Sequence, residues 1–108
     1  MSLDTQDRLQ DDVEATDSVI RARMDAFDLM TRVLGCESDV DRAELLNLTT
    51  KMIQRARKGY VGSRFVARTL TGLRAFEREL IKRNLRPTWD ALFEAVVVPV
   101  GSIGEVTE

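Results

Sequence analysis

Apolar or neutral residues recur at helical intervals through the first third of the chain. They stand mostly three or four positions apart, at Leu9, Val13, Thr16, Ile20, Met24, Phe27 and Leu34. This spacing places them on one face of a helix, and no proline or glycine interrupts residues 4–34. The pattern therefore predicts a single first helix over residues 4–34 that ends at Gly35. Its acidic residues, Asp28 among them, fall on the opposite face and are predicted to be solvated.

The second predicted helix has capping residues at its start. Ser38 followed by Asp41 resembles a capping box, and the acids from Asp39 onward complement the helix dipole. The helix is predicted to extend from about Asp39 to Lys58, with Gly59 as its end. Because capping accounts for these acids, we predict no metal site among them.

A third and a fourth helix are predicted after a short turn that glycines bracket. Ser63 is a suitable N-cap for the third helix, which is predicted to continue until Asn84 and Arg86-Pro87 close it. Thr88 is the predicted N-cap of a short fourth helix that extends to about Val97. Beyond this helix the chain is too short for a sheet, so an extended tail is predicted.

The predicted elements add up to an all-α fold. Three main helices and a short fourth helix form a small bundle over residues 1–97, followed by an extended tail over residues 98–108. The length of 108 residues and the content of 44% hydrophobic and 31% charged residues suit one compact domain of this kind.

Charge is segregated along the chain, although the net charge is only −2. Residues 1–50 carry 5 basic and 12 acidic side chains, residues 51–86 carry 11 basic and 2 acidic ones, and residues 87–108 carry 4 acidic and no basic ones. The middle segment therefore has a net charge of +9. Asymmetry of this kind is typical of contact with nucleic acid or another polyanion. The alternative is that the basic helices lie against the acidic first helix, within one chain or between copies, and neutralise it.

Most cations of the basic segment fall at helical spacing on the second and third predicted helices. The predicted contacts to nucleic acid are Lys51, Arg55, Lys58, Arg64, Arg68, Arg74, Arg78 and Lys82. Like charges at this spacing repel, so we expect a negative surface opposite them, either a phosphate backbone or an acidic protein helix. Tyr60, between two glycines, is a candidate for stacking on a base; the alternative is that it packs on the bundle.

The residue inventory excludes most enzyme classes. With no histidine and one cysteine, the chain cannot supply a zinc site, a Ser-His-Asp or Cys-His set, or an intramolecular disulfide. We therefore predict no catalytic residue, metal or cofactor. The lone Cys36 fits a reducing compartment and predicts a cytoplasmic location. The longest apolar run, Ala95 to Val100, is too short to span a membrane.

One resemblance to a known family extends over residues 9–75. The residues that carry it are Leu9, Val13, Ala15, Asp17, Ile20, Val33, Gly35, Asp41-Arg42, Phe65-Val66 and Arg68. Their pattern resembles that of the all-helical chorismate mutases, which implies a helical topology. Of the cations in that family's active site only Arg42 has a counterpart, because Gln10 and Phe27 stand where the family has arginines and Lys51 is the first lysine. The resemblance therefore implies a degenerate, mutase-like helical protein.

A small helical protein with basic helix faces and no catalytic residues is also similar in architecture and charge to the small subunit of CRISPR effector complexes. We predict a non-enzymatic subunit that holds the backbone of RNA or single-stranded DNA without sequence specificity, inside a larger assembly or with copies of itself. The competing interpretation is a protein-interaction adaptor or inhibitor, such as those that phages encode, whose basic face docks on an acidic protein.

Overall fold

The computed structural model of the chain describes residues 16–99 and 106–107. The elements follow in the order β1 (Thr16–Ala22), α1 (Met24–Val33), α2 (Asp39–Leu46), α3 (Thr50–Lys58), β2 (Tyr60–Val61), α4 (Ser63–Arg74), α5 (Glu77–Ile81), α6 (Trp89–Leu92), β3 (Phe93–Pro99) and β4 (Val106–Thr107). The fold is α+β, so the prediction of an all-α bundle is wrong. The helical topology implied by the resemblance to chorismate mutases is wrong for the same reason.

The strands form one sheet in the order β3-β1-β2-β4. Strands β1 and β3 are antiparallel along their whole length, with Thr16 opposite Pro99 and Ala22 opposite Phe93. Strand β2 joins β1 antiparallel, and β4 joins β2 parallel. The sheet is therefore built around a two-stranded ribbon whose strands come from opposite ends of the described chain.

Strand β1 replaces the middle of the predicted first helix, whose last part is helical as predicted and forms α1, and residues 4–15 of that prediction lie outside the described part of the chain. Val19 of β1 stands opposite Val96 of β3, and β-branched residues suit such a pair. Arg21 stands opposite Glu94, with Arg21 Nε 2.9 Å from Glu94 Oε2. The helical spacing was misleading because the partner of this segment lies more than 70 positions away in the chain.

Strand β3 likewise replaces the second half of the predicted fourth helix. The N-cap prediction is confirmed, because Thr88 Oγ1 accepts the N–H of Ala91 at 3.2 Å. The helix ends at Leu92, however, and the carbonyl of Leu92 accepts the N–H of Arg23 at 2.7 Å. The run of valines that follows favours a strand once β1 is available to pair with it.

The second predicted helix is two helices, α2 and α3. Ser38 caps α2 as predicted and Gly59 follows the end of α3 as predicted. Between them Asn47 has a φ of 57°, a left-handed conformation that ends α2. Thr49 then caps α3, its Oγ1 accepting the N–H of Met52 at 3.0 Å. Asn47 and Thr49 therefore divide into two helices a segment whose apolar spacing predicts one helix.

The third predicted helix is also divided, into α4 and α5. Phe76 precedes α5 with φ −115° and ψ 29°, which are not helical angles. Helix α4 begins at Ser63, but the prediction of Ser63 as its N-cap is wrong, because Gly62 occupies that position. Asn84 closes this region as predicted, in a left-handed conformation with a φ of 61°.

The core lies where the helices meet the ribbon. The ring centroids of Phe27 in α1 and Phe65 in α4 are 5.7 Å apart, and those of Phe65 and Phe93 in β3 are 6.4 Å apart. All three rings are fully buried. Burial of large aromatic side chains is strongly stabilising, so β3 is part of the hydrophobic core.

Charged side chains of α1, α2 and α3 form one ion network beside this core. Both terminal nitrogens of Arg57 donate to the carboxylate of Asp28, each at 2.8 Å, and Nη2 also lies 2.7 Å from Asp39 Oδ1. Arg42, which is only 8% exposed, donates from Nη1 to Asp39 Oδ1 at 3.0 Å. Its Nε donates to the hydroxyl of Thr31 at 2.8 Å. Asp28, which was predicted to be solvated, thus forms an ion pair with Arg57 within the protein.

The network shifts the pKa values of its members in opposite directions. The hydrogen bond from Arg57 is the main reason that the pKa of Asp39 lies below its ordinary value, and burial opposes this shift. The hydrogen bonds to Asp28 and Asp39 raise the pKa of the Arg57 guanidinium above its ordinary range. Both groups are therefore held in their charged forms in the folded protein.

The contact between α2 and α4 depends on the absence of a side chain at Gly72. A Cβ at this position would lie 2.6 Å from Cδ2 of Leu46, which is 2% exposed and cannot move into solvent. We expect Gly72→Ala to lower the free energy of unfolding by about 1 kcal/mol, because the overlap outweighs the better helix propensity of alanine. Urea unfolding would measure the change. In the background of Leu46→Ala the same substitution should be neutral or stabilising, and equal losses in both backgrounds would contradict the close contact.

Removal of Arg57 should destabilise the protein more than removal of an arginine outside the ion network. Arg57→Met leaves the carboxylates of Asp28 and Asp39 without their main partner. We expect a loss of about 2 kcal/mol in the free energy of unfolding. This loss is smaller than that for a fully buried ion pair, because Arg57 is partly exposed. Arg64→Met, an exposed position of α4, is the matched control and should change the stability by less than about 0.5 kcal/mol. Similar losses for the two variants would argue against the network.

Stability should fall with pH as Asp39 becomes protonated. The folded pKa of Asp39 is depressed, so its contribution is complete above the unfolded-chain pKa of about 3.9 and is lost as the pH falls below that value through the folded pKa. We expect the free energy of unfolding, measured in urea from pH 7 to pH 2.5, to decline less steeply in Asp39→Asn than in the wild type. Asp25→Asn, which removes an exposed carboxylate of α1, is the control. An unchanged acid limb in Asp39→Asn would contradict the assignment.

Candidate nucleic-acid interface

The three predicted contacts on α3 stay together in the structure. Lys51, Arg55 and Lys58 are exposed and stand at the i, i+4 and i+7 positions of one helix. With Gln54 they line a shallow cleft of about 180 Å³. We call this set of three cations the α3 row. Its geometry follows directly from the sequence because all three residues belong to one uninterrupted helix.

The other five predicted contacts were expected along one helix. In the structure they belong to two helices. Arg64, Arg68 and Arg74 lie on α4, whereas Arg78 lies on α5 and Lys82 immediately follows it. The break at Ala75 and Phe76 separates the two groups. Whether these residues contact nucleic acid remains a prediction, but the expectation that one continuous helix carries all five is wrong.

Several of these five cations have partners inside the protein. Arg68 Nη1 donates to the carbonyl of Asn47 at 3.0 Å, and so covers the carbonyl at the end of α2. Arg74 Nε donates to the carbonyl of Pro87 at a long 3.4 Å, and Lys82 Nζ lies 3.5 Å from Glu79 Oε1. A partner protein or a phosphate would compete with these three contacts, whereas Lys51 and Lys58 of the α3 row have no ion pair among the described residues, so we place these two lysines ahead of them as binding positions.

The acidic residues of α1 and α2 do not neutralise the α3 row. Asp28 and Asp39 bind Arg57 and Arg42 instead, and Arg57 belongs to the same helix as the row but is not one of its members. Lys51 and Lys58 form no ion pair with any residue of 16–99. Within that part of the chain, the explanation that an acidic helix covers Lys51 and Lys58 is not supported.

A second and larger cleft adjoins the α3 row. Its volume is about 360 Å³, and it is lined by Arg21, Ala22, Met24, Ala56, Arg57, Lys58, Gly59 and Tyr60. Lys58 lines both clefts. The lining includes three cationic side chains and no carboxylate. Arg21 and Arg57 are paired with carboxylates outside the lining, so Lys58 is the cation that favours an anionic ligand.

Tyr60 lies at this cleft because of strand alternation. In β2 the next residue, Val61, is 2% exposed and belongs to the core. Successive side chains of a strand point to opposite faces, so Tyr60 points away from the core and lines the cleft, half-buried. Tyr60 and Val61, which lie in the predicted turn, thus form a strand. Tyr60 lines the same cleft as Lys58.

Sequence reasoning missed Arg21 and Met24 as parts of this cleft. Arg21 reaches it from β1, and its guanidinium is held by Glu94 across the ribbon. Met24 begins α1 immediately after that strand. No local pattern could have placed these residues beside Tyr60, because the long-range pairing of β1 brings them there.

The remaining candidates of the sequence have structural surroundings. Trp89 packs on Phe93, with ring centroids 6.1 Å apart. Cys36 is buried, and this burial raises the pKa of its thiol. Asp41 accepts the N–H of Glu37 at 3.0 Å, which fits the capping interpretation. Among residues 16–99 and 106–107 no group of three or more ligating side chains could hold a metal ion.

No helix in the described part of the chain is both long and apolar enough to cross a membrane.

Comparisons with protein-family models, with characterised proteins and with solved structures find no match for this chain. The two clefts and the α3 row are therefore the features of the molecule that bear on its function.

Proposed function

We propose that the protein is a non-enzymatic binding subunit that holds the backbone of RNA or single-stranded DNA along the α3 row, without reading sequence. The observation that supports this proposal is the continuity of positive charge at Lys58, which joins the row to a cleft without any carboxylate in its lining. Phosphates supply the negative charge that such a surface lacks.

The length of the row suits a phosphate backbone. From Lys51 to Lys58 the helix rises about 10 Å, a distance over which one strand in B-form geometry presents about three phosphates. Lysine and arginine on an exposed helix face contact phosphates with little dependence on the base. Affinity that depends on salt and not on sequence is the consequence.

Assembly with other subunits or with copies of itself belongs to the same proposal. Val97 of β3 is 67% exposed, and the outer edge of β3 has no partner strand among the described residues. Exposed strand edges can pair with another chain. The likeness to the CRISPR small subunit rested on an all-helical architecture, so it lends no support here.

Charge reversal in the α3 row should abolish binding. We expect the wild type to bind labelled 20-nucleotide RNA or DNA in fluorescence anisotropy, with three phosphate contacts contributing about −2 to the slope of log K against log salt. The triple variant Lys51→Glu, Arg55→Glu, Lys58→Glu should lose at least tenfold in affinity at low salt. Its circular dichroism and thermal midpoint should stay close to those of the wild type, because all three positions are exposed.

The matched control reverses three other exposed arginines, Arg32, Arg83 and Arg86. It has the same net charge as the triple variant, so a specific role of the α3 row predicts a much smaller loss of affinity. Equal losses would mean that only the total charge matters. An absence of binding by the wild type at 20 mM salt would refute the proposal and favour an acidic protein as the partner of the basic face.

A further inference from the structure

The cleft beside Tyr60 combines an aromatic ring with fixed positive charge. Tyr60 is flanked in the lining by Lys58 and Arg21, and Met24 and Ala56 supply apolar surface. On the basis of the proposed function, we propose that this cleft takes one unstacked base of a single-stranded nucleic acid, with the base on the Tyr60 ring and the adjoining phosphate on Lys58.

The size and lining of the cleft suit a base. Its volume of about 360 Å³ lies at the lower end of the range for small-molecule pockets. Aromatic rings bind any base through its π-face, so a tyrosine serves a site that does not select sequence. The methionine side chain adapts to differently shaped bases. The cleft therefore extends backbone binding without adding base specificity.

The three cations of the cleft differ in their freedom to bind a phosphate. Arg57 is occupied by Asp28 and Asp39, and Arg21 Nε is held by Glu94 at 2.9 Å. Lys58 is exposed and forms no ion pair with the described residues. Lys58 is thus the cation that can move to a phosphate, whereas the charges of the two arginines are balanced by their carboxylate partners.

A base in this cleft requires a single strand. In a duplex the bases are stacked and paired, and extrusion of one base costs free energy. In a single strand the bases are already accessible to aromatic side chains. The α3 row can contact either form, so a preference for single strands is the property that the Tyr60 cleft adds.

Two measurements test the inference. In the first, Tyr60→Leu should lower the affinity for oligo(dT) or oligo(U) by about tenfold and leave the weaker binding of duplex DNA unchanged, whereas Tyr60→Phe should keep the affinity of the wild type. In the second, Tyr60→Trp combined with Trp89→Phe gives a protein with a single tryptophan, because the chain has one tryptophan and one tyrosine. Its fluorescence should be quenched on addition of the single strand but not of the duplex.

The outcomes separate this inference from the proposed function. If charge reversal in the α3 row abolishes binding while Tyr60→Leu binds single strands like the wild type and the tryptophan is not quenched, the base site is wrong and backbone binding stands. If the wild type binds no nucleic acid, both are wrong. Tyr60→Phe retains the ring, so it also shows whether a loss in Tyr60→Leu comes from stacking.

Discussion

The bidentate contact between Arg57 and Asp28 is the interaction on which the arrangement of the helices depends. It joins α3 to α1, and Asp39 extends it to α2, where the buried Arg42 completes the network. A guanidinium with two carboxylates permits few orientations of the helices that carry them, because its donors lie in one plane. Hydrophobic burial supplies most of the stability, and Ile53 and Ala56 are the residues that α3 buries. The α3 row faces outward, since its members lie on the side of the helix away from Ile53 and Ala56.

The sequence predicts features that neighbouring residues determine, and it fails where distant residues determine them. Ser38, Thr88 and Gly59 end or begin helices as predicted, because each acts on backbone groups within a few positions. The segment of β1 has helical spacing and no helix breaker, yet it is a strand. Its conformation is set by seven residues of β3 near the other end of the chain, and no local propensity reports such a partner. Recognition of the valine-rich run at 96–98 as a strand would have required a second strand to be recognised first.

The same distinction separates the two parts of the candidate site. The α3 row was predictable because three cations at helical spacing share a face wherever the helix lies. The cleft was not, because it is assembled from β1, α1, α3 and β2, and Arg21 enters it only through the pairing of the ribbon. Tyr60 was singled out from its flanking glycines and cations. Its exposure, however, follows from the alternation of β2, a strand of two residues that no sequence period could reveal.

The two faces of α3 show how one short helix can serve both stability and binding. Arg57 is neutralised by carboxylates and contributes to the folded state, whereas the cations of the α3 row repel one another by a few tenths of a kcal/mol for each pair. A phosphate backbone would remove that repulsion only on binding. Part of the binding free energy would then come from relief of strain between like charges, and the network around Arg57 keeps α3 in place while the row is unoccupied. An acidic residue placed within the row would stabilise the free protein and weaken its hold on phosphates, which is a physical reason for the segregation of charge along this chain.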